Sequence, residues 1–313
     1  MPDKRVIVIT GIRGYWGKRL ARRLLDNDDL HLIGLDTEPE KIEGINFIQA
    51  DLGNPLLANL LAAESVDTVC HLDFMPARRP TPAAFNHNVV GTIKLLGACA
   101  RAGVSQVIIK SSSAAYGARP ENPAFLSEDY PLGGSMRLGP IRDLIEIETF
   151  CQNFVRQAPD VHVTVLRFAH IIGPTVDSPM AQFLKDQFAP VLLGFDPMMQ
   201  LIHEDDVLDA FAHAILNGRP GIYNIAAGDL LPLWRLTALA GKVPLPIFHP
   251  LAYAAFRQGR HMPVHPDYLR YPCVVDTTAM ANRLDFRPQF SAYEAILALA
   301  GQPVATPAIA EPE

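Results

Sequence analysis

The sequence predicts an α/β fold with a doubly wound parallel sheet and a smaller lobe, and two observations lead to this expectation. Short β-branched or apolar runs alternate with segments that carry apolar residues at helical spacing from residue 5 to about 170. Such alternation is typical of a sheet covered by helices on both faces. After about residue 174 prolines become frequent, which indicates a smaller irregular lobe. The predicted strands lie near 6–9, 30–35, 45–49, 66–72, 107–109, 161–167 and 222–225; the predicted helices lie near 15–26, 55–63, 82–102, 137–157 and from 204 onward.

Composition excludes several classes of partner. The chain has 313 residues, is 49% hydrophobic and carries a net charge of −6, without a basic cluster, so no nucleic-acid partner is expected. No apolar run reaches the length of a membrane span, and the four scattered cysteines lack metal-ligand spacing. The chain enters its first strand almost at once. We therefore expect a cytoplasmic protein that binds neither metal nor membrane.

A glycine motif follows the first strand and opens the first helix. Thr10-Gly11-x-x-Gly14-x-x-Gly17 has the context of a dinucleotide site, in which the first glycine makes a tight turn, the second admits a pyrophosphate and the third lets helix and strand pack closely. The helix N-terminus then faces the phosphates. The alternative is a glycine turn without a ligand. The expected contacts are Gly11, Arg13, Gly14, Tyr15, Trp16 and Gly17.

An acidic residue ends the second predicted strand about 20 residues beyond the glycines. Asp36 there would accept hydrogen bonds from the adenosine ribose and repel a 2′-phosphate. This position favours NAD over NADP. The alternative is an aspartate that only serves a strand-end turn.

Further motifs recur in order along nearly the whole chain. The glycine motif is followed by an Asp-Leu pair, a His-Leu pair, an Asn-Val-x-Gly-Thr helix segment and a serine-to-Tyr-Gly segment. Arg-x5-Gly-Pro, His-x-Asp-Asp-Val and a C-terminal Leu-Asp-Phe-x-Pro complete the series. The residues are Asp51-Leu52, His71-Leu72, Asn88–Thr92, Ser111–Gly117, Arg167–Pro174, His203–Val207 and Leu284–Pro288. This ordered set resembles the extended short-chain dehydrogenase/reductase family, in its NAD-dependent epimerase/dehydratase branch.

The resemblance implies a Rossmann-type doubly wound sheet with a small C-terminal substrate-binding lobe. Residues 1–174 would form the NAD domain, with strand and helix returns near 202–226; 175–300 would be mainly the lobe and 301–313 a flexible tail. Homodimerisation would use helices 82–102 and 137–157. Further cofactor contacts would come from Asp51, Leu52, Leu72, Asp73, Asn88 and Ser111, and substrate contacts from Ser113, His170 and His203.

The chain departs from the family at its proton-transfer motif. The family uses Tyr-x-x-x-Lys on the helix after the serine, and no tyrosine of this chain has lysine four residues on. The best motif fit uses Glu146 as the family's following glutamate, which puts Leu138 at the tyrosine and Arg142 at the lysine. Leucine carries no proton, and arginine keeps its charge. Arg142 would donate to the nicotinamide ribose or, alternatively, pair with Glu146 on a solvated helix face.

Two residues remain as candidates for the chemistry, together with Arg142. Ser112 lies four residues before Tyr116, the family spacing for the catalytic Ser or Thr; the alternative is a strand-end serine that satisfies its own backbone. Tyr116 would be a substitute acid or a residue that orients substrate or packs. His71 is expected in the core rather than as a base, and His203 would cap a helix or contact a ligand.

Two functions of different classes follow. The first is an NAD-dependent epimerase, dehydratase or reductase, an oxidoreductase acting on a sugar nucleotide or related hydroxyl compound. The alternative is a non-catalytic NAD-binding sensor or scaffold. The expected pocket segment 177–201 is mostly apolar, with Lys185 as its one basic residue, so a smaller or less charged substrate also fits.

Overall fold

The computed structural model describes residues 4–77, 79–136, 138–257 and 262–303. They divide into two compact units. Of the described residues, the first draws on those within 4–115, 132–167 and 208–223, and the second on those within 116–131, 168–207 and 224–303. Part of the expected flexible tail, 304–313, lies outside the described residues.

The strands of the described chain follow the predicted positions closely in the first half. They are β1 (Arg5–Thr10), β2 (Leu30–Asp36), β3 (Asn46–Gln49), β4 (Thr68–His71), β5 (Gln106–Ser112), β6 (His162–Phe168), β7 (His170–Ile172), β8 (Phe188–Leu192), β9 (Met198–Met199), β10 (Leu201–His203), β11 (Gly221–Ile225), β12 (Leu231–Pro232) and β13 (Val243–Ile247).

The helices of the described chain complete the element list. They are α1 (Tyr15–Leu24), α2 (Leu57–Ala63), α3 (Pro82–Phe85), α4 (Gly91–Ala102), α5 (Gly139–Gln157), α6 (Pro179–Phe183), α7 (Glu204–Asn217), α8 (Leu233–Leu239), α9 (His249–Arg257) and α10 (Ala292–Leu299). No helix among the described residues is long and apolar enough to cross a membrane.

A seven-stranded parallel sheet organises the described chain, with the order β11-β6-β5-β4-β1-β2-β3. Chain order reverses beside β1, which pairs with β2 on one side and with β4 on the other. Ligands of doubly wound sheets bind beyond the carboxyl ends of the strands at such a reversal. Thr10 and His71 are paired in register at the carboxyl ends of β1 and β4 and therefore mark the expected site. The predicted α/β fold of the Rossmann type is confirmed.

The core explains why the strands are almost continuously apolar. Val8, Val69, Val107 and Ile109 pack with apolar residues of α2, α4 and α5 in one buried cluster. A parallel sheet covered on both faces leaves no strand face for solvent. The helical spacing seen in the sequence is the complementary half of this packing.

One predicted helix differs from the expectation in its interior. Residues 82–102 are helical throughout, but Asn86–Val90 form a π-helical turn between α3 and α4. A π-turn shifts the direction of the side chains around it and often occurs at functional sites. The segment includes His87, which pairs with Asp73, and Asn88, which holds the Met75 backbone.

The second unit contains short strands rather than one large sheet. β7 pairs with β10, β9 with β12, and β8 with β13. Gln200 joins separate parts of this unit, since its amide accepts from the Val275 N–H (2.8 Å) and donates to the Val275 carbonyl (3.2 Å). The proline-rich composition after residue 174 accordingly corresponds to short strands and turns.

Candidate functional site

The glycine turn has the geometry that a bound pyrophosphate requires. Gly11 has φ +64°, in the left-handed region that favours glycine. A Cβ on Gly17 would lie 2.3 Å from the Gly11 carbonyl oxygen, so only glycine allows α1 to pack this close. Gly14 is the N-cap of α1 and has no side chain to cap the helix, so an anion can approach the start of α1. The residues present therefore fit a dinucleotide, for which Tyr15 and Trp16 supply the first helical amides.

Asp36 lies at the end of β2, where the sequence predicts it. Its carboxylate accepts the Arg13 backbone N–H (3.2 Å) and the Thr37 backbone N–H (2.9 Å), which fixes it beside the glycine turn. The Arg13 side chain pairs with Glu38 at 2.5 Å. This arrangement keeps a negative charge where a ribose hydroxyl, and not a phosphate, is expected.

A groove of about 520 Å³ lies beside this point in the first unit. Asp51 and Leu52 line one side, and His87, Gly91 and Lys94 line another. Asp51 accepts the Gly53 N–H at 2.6 Å, which orders the segment that follows β3. The Asp51-Leu52 pair, expected from the sequence to contact the cofactor, thus lies on the wall of a groove.

A fully buried hydrogen-bond network connects the ends of β1 and β4. His71 Nδ1 is 2.8 Å from Thr10 Oγ1, and its Nε2 is 2.8 Å from Thr92 Oγ1. Thr10 Oγ1 also accepts the N–H groups of Leu72 (3.1 Å) and Asp73 (3.3 Å). Burial lowers the pKa of His71 to about 4. His71 is therefore a neutral core residue that shapes the loop after β4, the alternative favoured from the sequence.

Asn88 fastens that loop to α5. Its Oδ1 accepts the Met75 N–H (2.7 Å), and its Nδ2 donates to the Met75 carbonyl (3.1 Å) and to Asp143 Oδ2 (2.8 Å). Arg142 donates to Asp143 Oδ1 from Nε (2.9 Å) and Nη2 (2.6 Å), and its guanidinium lies 4.8 Å from the centre of the Phe85 ring. Arg142 therefore pairs with Asp143 and not with Glu146, the partner named as the alternative in the sequence analysis. This contact is half-buried and lies within the first unit.

The start of α5 differs from the predicted one. Leu138 is the N-cap of the helix and lies outside its first turn, while the predicted start at residue 137 falls outside the described residues. A Cβ on Gly139 would lie 2.8 Å from the carbonyl oxygens of Ala77 and Arg79, so the loop after β4 packs directly on the helix start. Leu138, the residue aligned with the family's tyrosine, therefore precedes the helix and does not lie on one of its faces.

The buried glutamate of α5 is Glu148. It lies two residues after Glu146, the residue that the motif fit used. Glu146 is exposed, whereas Glu148 is 1% exposed and accepts from Arg167 Nε (2.8 Å) and Nη2 (2.6 Å). Ser111 Oγ donates to the other oxygen of the same carboxylate. The Ser111 hydroxyl is therefore committed to a buried ion pair, which weighs against its expected cofactor contact.

Ser112 and Lys110 are the two partly exposed residues of β5. Alternation along a strand places both on one face of the sheet. Ser112 Oγ accepts the Ala114 N–H at 3.2 Å, and Ser113 is buried in the 3-10 turn that follows. Burial lowers the pKa of Lys110 to about 8, although part of its surface is open to solvent. Lys110 makes no hydrogen bond or ion pair with the described residues.

Tyr116 is fully buried in the second unit. Its hydroxyl donates to Asn224 Oδ1 at 2.8 Å, and Asn224 Nδ2 donates to the carbonyls of Leu126 (3.0 Å) and Asp276 (3.2 Å). A hydroxyl held in such a network joins chain segments. This weighs against proton transfer by Tyr116 and favours the packing role that the sequence left open.

The two histidines expected at the substrate have different environments in the second unit. His170 on β7 meets the Tyr268 ring edge-on at 6.0 Å, and burial lowers its pKa to about 4. His203 stacks on Phe290 at 4.0 Å, and its Nδ1 accepts the Asp205 N–H at 3.2 Å. His203 therefore caps α7, as one of its two sequence alternatives states.

Three functional candidates escaped the sequence argument. His87 pairs with Asp73 at 3.0 Å, Asp143 links Asn88 to Arg142, and Lys110 is a lysine without a charged partner in the described chain. The acidic Asp73 directly after the His71-Leu72 pair was the one available signal for the first. The other two depend on helix phase and burial.

Comparison with known proteins agrees with this geometry. The model of the NAD dependent epimerase/dehydratase family matches residues 7–226. An uncharacterised protein of Mycobacterium tuberculosis is 32% identical over 308 residues, covering 93% of this chain and 82% of that protein. A UDP-glucose 4-epimerase of Mycolicibacterium smegmatis is 27% identical, covering 92% and 95%.

Solved structures show the same fold at low identity. The UDP-glucose 4-epimerase of Thermotoga maritima, solved with UDP-glucose, has a TM-score of 0.73 at 19% identity, covering 95% of this chain and 97% of that one. The UDP-glucuronic acid 4-epimerase of Bacillus cereus, solved with UDP-glucuronic acid and NAD, has a TM-score of 0.73 at 20% identity, covering 95% and 98%. This chain belongs to the NAD dependent epimerase/dehydratase family.

Proposed function

We propose that this protein binds NAD and uses it for oxidation and reduction at a hydroxyl-bearing carbon of a sugar nucleotide or related compound. The observation that carries the proposal is the glycine turn, whose Gly11 conformation and Gly17 packing leave room for a pyrophosphate. NAD, when bound, supplies hydride acceptance and donation. The named substrates of the related epimerases support the substrate class. We propose further that 1–174 mainly serve the cofactor and 175–300 the substrate.

Asp36 is proposed to hold the adenosine ribose, and Asp51 and Leu52 to hold the adenine. Leu72, Asp73 and the first amides of α1 surround the pyrophosphate in this proposal. Asn88 acts through the Met75 backbone, and Arg142 acts from its anchor on Asp143 toward the second ribose. Ser113, His170 and His203 remain proposed substrate neighbours.

Proton handling in this proposal does not use the family pair. If Glu148 rather than Glu146 corresponds to the family's glutamate, Leu144 takes the lysine position and Pro140 takes the tyrosine position. The tyrosine–lysine pair is therefore absent in either alignment. We propose that Ser112 hydrogen-bonds the substrate oxygen and that Lys110 Nζ accepts the hydroxyl proton and later returns it. A base with a pKa of about 8 suits proton transfer near neutral pH.

The test combines a substrate panel with matched variants. Oxidised and reduced cofactor are incubated with sugar nucleotides and simpler hydroxyl compounds, and absorbance and product formation are followed. On an active substrate, Ser112→Ala and Lys110→Met should each lower kcat by roughly 10²-fold, while Ser105→Ala and Lys4→Met, at exposed positions, should not. The kcat/KM of the unmodified protein should rise with pH through a pKa of about 8, and Lys110→Met should lose this limb. A pH profile of kcat/KM that Lys110→Met leaves unchanged would reject Lys110 as the base.

A non-catalytic NAD-binding sensor or scaffold is the second candidate. The buried Tyr116 hydroxyl and the absent tyrosine–lysine pair favour it. Tight NAD binding without turnover anywhere in the panel would make this the better description. Failure to bind NAD at all would reject both functions.

A further inference from the structure

Asp73 places a negative charge beside the glycine turn. Its Cα would lie 2.8 Å from a Cβ on Gly11, so its backbone packs directly on the turn, and its N–H donates to Thr10 Oγ1 at 3.3 Å. The amides of such a turn and the start of α1 favour an anion. A carboxylate fixed at this position acts in the opposite direction and repels a diphosphate.

His87 is the group that can cancel this charge. Its Nε2 is 3.0 Å from Asp73 Oδ1, and the two side chains are 23% and 21% exposed. The π-helical turn Asn86–Val90 presents His87 toward Asp73, while Asn88 in the same turn holds the Met75 backbone. His87 also lines the 520 Å³ groove together with Asp51. His87 is therefore part of the groove that the nucleotide is proposed to use, and Asp73 is its ion-pair partner.

The charges that face His87 come from four other segments. Asp36 at the end of β2, Asp51 after β3 and Asp73 after β4 are acidic, and Lys94 of α4 is basic. The hydrogen bond with Asp73 is the largest cause that raises the pKa of His87 above 6.5, partial burial opposes it, and Asp51 and Asp36 add to the rise. His87 thus keeps its proton to a higher pH than an ordinary histidine does.

We propose that the Asp73–His87 pair belongs to the dinucleotide site and makes its affinity for a diphosphate depend on pH. Protonated His87 neutralises Asp73, and the site accepts the pyrophosphate. Neutral His87 leaves Asp73 uncompensated, and the pyrophosphate is repelled. The inference rests on the proposed binding of NAD.

The experiment measures the Kd of NAD and of adenosine by calorimetry at an acidic and an alkaline pH, about 6 and about 8.5. The NAD Kd should rise about fivefold with pH, the effect of one nearby charge partly screened by water, while adenosine, which lacks phosphate, should change little. Asp73→Ala should bind NAD more tightly than the unmodified protein at about pH 8.5, because the repelling carboxylate is gone. His87→Gln should bind weakly at both, and His162→Gln, an exposed residue at the amino end of β6, should behave like the unmodified protein.

A second readout does not depend on affinity. In NMR spectra the His87 imidazole should titrate at higher pH when NAD is bound, and this rise should be absent with adenosine. Equal NAD Kd values at the two pH values, a pH dependence that survives His87→Gln, or no tighter binding by Asp73→Ala at about pH 8.5 would overturn the inference while leaving NAD binding in place. Absence of NAD binding at either pH would reject the proposed function as well, and circular dichroism of each variant verifies that it is folded.

Discussion

Tyr116 donates its hydroxyl hydrogen bond to Asn224 from a fully buried position. Removing the hydroxyl leaves Asn224 Oδ1 without this donor inside the protein. Tyr116→Phe should therefore lower the free energy of unfolding by about 1–3 kcal/mol, the usual cost of a buried group deprived of its partner. Tyr130→Phe is the matched control, because the Tyr130 ring packs 6.4 Å from Tyr116 and its hydroxyl makes no hydrogen bond with the described residues. Urea unfolding compares the two, and equal losses would contradict the structural role of Tyr116.

A second prediction at the scale of single residues concerns Asp36. Its carboxylate is fixed by the Arg13 and Thr37 amides, and Glu38 neutralises the Arg13 guanidinium. A 2′-phosphate would meet uncompensated negative charge there. NAD(H) should bind at least about tenfold more tightly than NADP(H), and Asp36→Asn should reduce this preference. Equal calorimetric affinities in the unmodified protein would remove Asp36 from the ribose role.

At the scale of elements, the His71 network links β1, β4 and α4 and should make folding sensitive to acid. Burial lowers the pKa of His71 from 6.5 to about 4, so between these values the unfolded chain binds a proton that the folded chain excludes. This contribution to stability is complete above about pH 6.5 and is lost as the pH falls toward 4. One such group gives a slope of about 1.4 kcal/mol per pH unit within the window.

His71→Asn should therefore be less stable at neutral pH and show a shallower loss of stability in acid. His170→Asn should also flatten the profile, since the pKa of His170 is lowered to about 4 by burial in the second unit. His162→Asn, at an exposed position, should keep the steep profile. Urea unfolding at a series of pH values measures all three. An acid slope unaffected by His71→Asn would refute the buried neutral state of His71.

At the scale of the whole molecule, the prediction is a homodimer through the helices of 82–102 and 137–157. Phe150 of α5 is partly exposed and stacks on Phe154, and Val155 is 41% exposed, so this helix has apolar surface beyond the core. Light scattering should give twice the 34.3 kDa chain mass at micromolar concentration. Phe150→Glu should shift the mass to one chain, whereas Phe125→Glu, at a 57% exposed position outside these helices, should not. A mass of one chain for the unsubstituted protein would exclude the predicted dimer.

The sequence by itself determined the sheet and the glycine turn of this protein. Both depend on local rules: apolar runs cannot face water, and a left-handed φ or a close helix–strand approach requires glycine, as at Gly11 and Gly17. The position of Asp36 at a strand end is local in the same sense. These features need no knowledge of distant contacts.

Only the tertiary structure decided which polar groups are available for chemistry. Tyr116 and Ser111 have the residue types that the motifs require, but their partners Asn224 and Glu148 lie far away in the chain. The π-turn that brings His87 to Asp73 and the burial of Lys110 likewise depend on how helix and strand pack. A hydrogen bond or a pKa is a property of surroundings, and the order of residues along the chain does not specify those surroundings.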